Sequence, residues 1–202
     1  MTHVLERILT ELEVDWTSAG PSSYSVTLPG THKLNTVCLL HVEDHALRIE
    51  AFVIRHPDEN TAGVHAELLR RNARMYAVAF TVDGHGDVWL MGRVPLAAIT
   101  AEEIDRILGS VLTYADEAFD PLLELGFAES IRREWRWRLS RGESTRNLAA
   151  FEHLRPAEEE LSAHRLRTPL AADLPHGGNS CADVPSTPST PNARRTASGR
   201  AR

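Results

Sequence analysis

An α+β fold, ordered helix-βββ-helix-ββ-helix with an antiparallel sheet packed by helices, is predicted by three features of the 202-residue sequence. Residues 60–74 carry a helical pattern. Residues 75–82 and 87–94 alternate like strands on either side of the turn Asp83-Gly84-His85-Gly86, and Val4, Leu5, Ile8, Leu9 and Leu12 recur at three- and four-residue steps. With 42% hydrophobic residues the chain is long enough for one core and too short to assume two.

The first helix opens near Thr2, and its apolar steps place one face against the core. Thr17 to Ser23 reads as a turn-rich break, after which Tyr24 to Leu28 alternates apolar and polar until Pro29-Gly30 ends it, the pattern of a half-buried strand. Leu34 to Val42 and Leu47 to Ile54 are rich in Val, Ile, Leu and Phe and are separated by Glu43-Asp44-His45, which predicts an antiparallel hairpin. Pro57 stops the last strand, and Asp58 or Asn60 is placed to accept the free amides of a second helix that runs to about Arg74. Two strands then pair across the glycine-containing turn. Thr100 and Glu103 form a capping box for a third helix whose buried stripe is Ile104, Ile107, Leu108, Val111, Leu112 and Ala115. Asp120-Pro121 predicts a fresh helical segment ending at Gly126, and residues 128–139 are helical again, with Ile131, Trp135 and Leu139 at four-residue steps. Periodicity fades from about Arg141. The expected organisation is a domain over 1–145, a charged, partly helical linker over 146–168, and a disordered Pro/Ser/Thr-rich tail over 169–202.

Several function classes are disfavoured by composition. No stretch approaches the ~20 apolar residues of a membrane span, and Met1-Thr2-His3 opens without a basic flank and signal run, so no membrane contact and a cytoplasmic location are expected. The net charge of −6 argues against a general nucleic-acid binder. Lys33 is the sole lysine, which leaves Schiff-base chemistry almost no candidates. Cys38 and Cys181 read as two free thiols.

The remaining reactive residues make weak constellations. His41, Asp44 and His45 gather at a hairpin end, where they could approach a metal, but two imidazoles without a placed third ligand are better read as a polar turn cap. Ser110, Ser144 and Cys38 lack a nucleophile elbow or an adjacent base, and Gly84-x-Gly86 joins two strands where a dinucleotide loop must open a helix. Asp116, Asp120 and Glu124 fall at four-residue intervals and read as a solvated acidic face. No catalytic residue, metal or cofactor is assigned. The partner-binding candidates are Arg132, Arg133, Trp135, Arg136 and Trp137, because arginines interleaved with tryptophans can stack on bases or on a partner's aromatic groups. Helical burial explains Trp135 and leaves Trp137 unexplained.

Two patterns, Tyr24-x-Val26-x-Leu28-Pro29-Gly30 and Leu68-x3-Asn72-x7-Phe80-x2-Asp83-x3-Asp87-Val88-x-Leu90, together with the element order, resemble the YbjN family of bacterial sensory transduction regulators. That family's fold is similar to type III secretion chaperones. In physical terms Asn72 can tolerate left-handed geometry or bond to freed carbonyls where helix turns into strand, Asp83 and the glycines make the turn, and Phe80, Val82, Val88 and Leu90 supply cross-strand contacts. The resemblance implies a non-enzymatic, dimeric cytoplasmic protein with a sheet face or groove for an extended peptide, its partner an unidentified protein or peptide. The competing readings are a nucleic-acid-associated regulator acting through residues 131–141, and a small metal-dependent enzyme using His41, Asp44 and His45.

Overall fold

Six strands form one antiparallel sheet in a computed structural model that describes residues 2–157. The elements are α1 (Thr2–Glu11), β1 (Asp15–Gly20), β2 (Ser23–Pro29), β3 (Asn35–Val42), β4 (Ala46–Ile54), α2 (Thr61–Asn72), β5 (Val78–Val82), β6 (Val88–Pro95) and α3 (Ala101–Arg141), with short 3-10 turns at Leu96–Ala98 and Arg146–Leu154. Strand order is β1-β2-β3-β4-β6-β5. The predicted α+β fold is therefore present, with one strand more than expected. The supposed break at Thr17 to Ser23 is mostly β1, an edge strand whose register runs from Asp15↔Thr27 to Gly20↔Ser23.

Alternation along each strand sends one set of side chains to the helices. Tyr24, Val26 and Leu28 on β2, Cys38 and Leu40 on β3, Leu47, Ile49, Ala51 and Val53 on β4, and Val88 and Leu90 on β6 are buried together with Leu5 and Leu9 of α1, Val64 and Leu68 of α2, and Ile104, Ile107, Val111, Ala115 and Leu122 of α3. Phe80 joins this core, whereas Val82, expected in it, ends β5 exposed. Burying each such aliphatic or aromatic side chain stabilises the fold by about 1.5–3 kcal/mol before ordering entropy is subtracted.

The helix ends depart from expectation at one site and agree at another. Thr100 caps α3, its hydroxyl accepting from the Glu103 amide at 3.2 Å. Asn60 precedes α2 with φ of 48° and makes no side-chain cap, and Asp58 pairs with Arg55 and the Ser130 hydroxyl instead. The expected restart at Asp120-Pro121 is also absent. Helix continues through Pro121 and is interrupted only at Phe127, whose φ of −143° kinks it directly after Gly126. A Cβ on Gly126 would lie 2.9 Å from Pro57 Cβ and 3.3 Å from Val64 Cγ2, so glycine is what lets α3 approach the β4–α2 connection. Its carbonyl accepts the amides of Asp58 and Glu59.

Packed structure extends past the expected boundary at residue 145. Leu148 and Phe151 are buried, and Trp135 Nε1 donates to the Phe151 carbonyl at 3.1 Å. Residues 146–154, placed in a linker by composition, thus pack against α3. Residues 158–168 of that linker, the tail 169–202 and Cys181 lie outside the described residues.

Candidate functional site

Most polar groups that looked capable of chemistry are engaged in holding the fold. The Asn72 side chain bonds both backbone groups of Phe80, Nδ2 donating to its carbonyl at 3.1 Å and Oδ1 accepting its amide at 2.7 Å. It therefore occupies the outer edge of β5, which would otherwise be free to pair. Asp83 accepts from the His85 and Asp87 amides and from Trp89 Nε1, and Asp87 accepts the His56 amide. The motif is a tied turn.

The acidic stripe on α3 is engaged by other segments, with Asp116 and Asp120 partly buried and Glu124 exposed. Asp116 Oδ1 accepts the amides of Thr31, His32 and Lys33 at 3.0, 2.9 and 2.8 Å, Asp120 meets His32 Nδ1 at 2.7 Å, and Glu124 meets His153 Nε2 at 3.0 Å. Desolvation raises the Asp116 carboxyl, but the three amide bonds outweigh it and the net shift is downward. Gly30 is needed here, because a Cβ would collide with the Lys33 carbonyl and Asp116 Oδ1. Each carboxylate clamps a loop or turn to the helix.

His41, Asp44 and His45 do not converge. His41 Nδ1 meets the Ser23 hydroxyl at 2.8 Å and its Nε2 faces Glu50 at 3.4 Å. No cluster of three metal-ligating side chains occurs among the described residues. Cys38 is buried in the core, which pushes its thiol up to about 12 and keeps it protonated at neutral pH.

The partner-binding candidates of α3 divide. Trp135 is 1% exposed and belongs to the core, with Arg155 stacked over its ring at 5.6 Å. Trp137 is 46% exposed, with Arg141 and Arg138 at 5.2 and 6.0 Å from its ring. Arg132 pairs with Glu129, Arg133 donates to Ser130, and Arg138 pairs with Glu134. Two of those cations face carboxylates, so the stretch offers less net positive charge than its arginine count suggests, and Arg136 remains on the same turn as Trp137.

A larger surface lies on the sheet, the kind of face that the family resemblance implies. The helices cover one side, and no described element covers the other. Across that bare face β3, β4 and β6 bring together Val37, Leu39, Phe52, Trp89 and Met91, with Phe52 opposite Trp89 and Glu50 opposite both Leu39 and Met91. Val37 is 47% exposed, Phe52 38% and Met91 38%. The Phe52 and Trp89 rings meet edge to face at 5.3 Å. Toward the hairpin end the same face turns polar through Arg48, which pairs with Glu43 at 3.1 Å and Glu50 at 2.9 Å, and Arg93, which reaches Glu43 at 3.4 Å. The outward positions were legible from the two-residue period of β3 and β4; what hid the patch was that β3–β4–β6 adjacency is a property of topology.

No helix among the described residues is long and apolar enough to cross a membrane. The YbjN family, described as "Putative bacterial sensory transduction regulator", matches residues 2–124. An uncharacterized protein of Mycobacterium tuberculosis is 55% identical over 137 residues, 68% of this chain and 75% of the relative. Another from Mycobacterium leprae is 48% identical over 146 residues, 72% of this chain and 79% of the relative. Among solved structures, YbjN from E. coli is similar at 12% identity and a TM-score of 0.46, covering 59% of this chain and 88% of that one. The heterodimeric ExoU-SpcU complex of the Pseudomonas aeruginosa type III secretion system is similar at 15% identity and a TM-score of 0.45, covering 59% and 98%.

Proposed function

The chain belongs to the YbjN family, and from that premise we propose that it is a non-enzymatic, regulatory module of the cytoplasm that binds a protein or peptide on the bare face of its sheet. The observation that carries this reading is the exposed apolar row Val37, Phe52 and Met91, continuous with Leu39 and Trp89. A contiguous apolar patch rimmed by charge is the usual form of a protein interface, since leaving it in water forgoes about 25 cal/mol per Å². The polar end, with Arg48 and Arg93 on Glu43, supplies register and partner selection. An extended partner strand has a second place to pair at β1, an edge strand.

The homodimer that the resemblance implies belongs to this proposal, and sedimentation of the purified chain reads it. The direct test is Met91→Glu, which places a charge in the patch without touching the core. Protein partners recovered by the wild-type chain from native lysate should be absent with the variant. Equal recovery by both, with the variant folded, removes the bare face from the account. A dimer that dissociates on this substitution identifies the occupant as a second copy.

A further inference from the structure

Strands β3 and β4 part company before either ends. Their bridging stops at Cys38↔Ala51, although β3 begins at Asn35 and β4 continues to Ile54. In the gap the carbonyls of Phe52 and Val53 are taken by the Lys33 ammonium, at 3.1 Å for Val53 and closely for Phe52. Thr36, which would face Val53 if the register continued, is fully buried with a hydroxyl that has no hydrogen-bond partner among the described residues. Beside this gap runs an open groove of about 640 Å³ walled by Phe52, Phe119, Leu123, Phe127, Ile131 and Phe151.

The groove is largely apolar, its polar lining being the half-buried Lys33 together with Arg55, Ser130, Glu134 and Asn147. The Lys33 ammonium lies 5.4 Å from the Phe52 ring and 5.9 Å from the Phe119 ring, and no described carboxylate pairs with it. Other charges at the rim are already engaged, Arg55 by Asp58 and Glu134 by Arg138. Burial without a counter-ion lowers the Lys33 amine to about 8. An apolar trough holding an uncompensated ammonium is complementary to a ligand that carries a carboxylate beside an apolar group.

We propose that the groove seats an acidic-apolar segment of the partner peptide, a large apolar side chain filling the space between Phe52, Phe127 and Phe151 and an Asp or Glu carboxylate pairing with Lys33. The inference rests on the peptide-binding reading above and extends it with a second half of the site and a sequence preference. Continuity favours a peptide over a small amphiphile, because Phe52 borders the groove and also meets Trp89 on the bare face. Peptide amides can take over the Phe52 and Val53 carbonyls as Lys33 turns to the incoming carboxylate, so no backbone acceptor is abandoned. The walls Phe52, Phe119 and Leu123 lie within the family match, and Phe127, Ile131 and Phe151 lie beyond residue 124, where it ends.

Random dodecapeptide display on the full chain and on its Lys33→Gln variant tests the proposal, glutamine keeping a donor for the two carbonyls. The wild-type chain should enrich apolar runs containing Asp or Glu, the variant apolar runs without that acid. Synthetic peptides from the wild-type pool should bind the variant about tenfold more weakly. They should also protect Lys33, the sole lysine, from an amine-acylating reagent on the wild-type chain, a readout that needs no variant. Enrichment with no acidic preference, or unchanged by Lys33→Gln, overturns the inference and leaves the bare-face reading intact. Lys33-dependent binding of sodium dodecanoate without acidic peptides also overturns it, in favour of a lipid-like carboxylate. No enrichment by the wild-type chain removes the peptide-binding reading itself.

Discussion

Asp116 shows how one side chain can organise a loop from 83 to 85 residues away, by accepting three consecutive amides on one oxygen. Asp116→Ala should destabilise the chain by about 1–2 kcal/mol, less than three buried charge-assisted bonds would give because water screens the site. Denaturant unfolding measures it. Since the folded carboxyl titrates below its ordinary value, its contribution is complete above that value and is lost as pH falls through the depressed one. The variant should therefore show a flatter acid limb. Lys33 shifts in the same direction for a different reason, a base whose folded value of about 8 lies below its ordinary 10.5 because burial disfavours its charge. Between those values the unfolded chain binds the extra proton, so this residue makes stability rise with pH across that window. Acylation of Lys33 should follow a midpoint near 8, and a midpoint near 10.5 would contradict the burial described. At this scale the sequence was informative where spacing reflects a local turn. Asp83 with its glycines was legible as a hairpin, and Asn72 as a residue that bonds backbone at a helix end. That Asp116, Asp120 and Glu124 clamp distant segments was not legible, because four-residue spacing describes a helix face and says nothing of what lies against it.

At the scale of elements, tertiary packing overrode two local signals. Pro121 removes a donor and crowds the preceding turn, yet α3 runs through it with Ala118 and Leu122 both fully buried against the core. The helix instead breaks one residue after Gly126, where close approach to Pro57 requires the missing Cβ. Gly126→Ala should lower stability by about 1–3 kcal/mol through that overlap, read as a reduced melting temperature. Strand β1 escaped notice because Thr17-Ser18-Ala19-Gly20 shows no apolar alternation, and an edge strand with one neighbour needs little. The turn at Arg146–Leu154 escaped for a related reason. Only Leu148 and Phe151 of its nine residues are buried, too sparse to register as a period, yet they cover Trp135. A chain ending at residue 145 should consequently melt below one ending at 157, and its Trp135 fluorescence should shift to the red. Equal melting temperatures would return residues 146–157 to the status of a linker.

For the molecule as a whole, the sequence identified the α+β class and the family, because amphipathic helices and strand alternation are local quantities. The surface proposed for binding was not available in the same way. Val37, Phe52 and Met91 are separated by up to 54 positions, as their numbers show, and become one patch only when β4 pairs with both β3 and β6. Trp137, which the sequence singled out, stands apart on α3 beside Arg141 and the Glu134-paired Arg138. The two surfaces make different predictions when a partner is bound. Hydroxyl-radical footprinting of the full chain, alone and saturated with a partner recovered by the wild-type protein, discriminates between them side chain by side chain. Oxidation of Met91, Phe52 and Trp89 should fall sharply in the complex while that of Trp137 stays unchanged. Unaltered oxidation at Met91 and Phe52, with protection confined to Trp137, would contradict binding on the sheet and move the interface to the arginine-tryptophan helix.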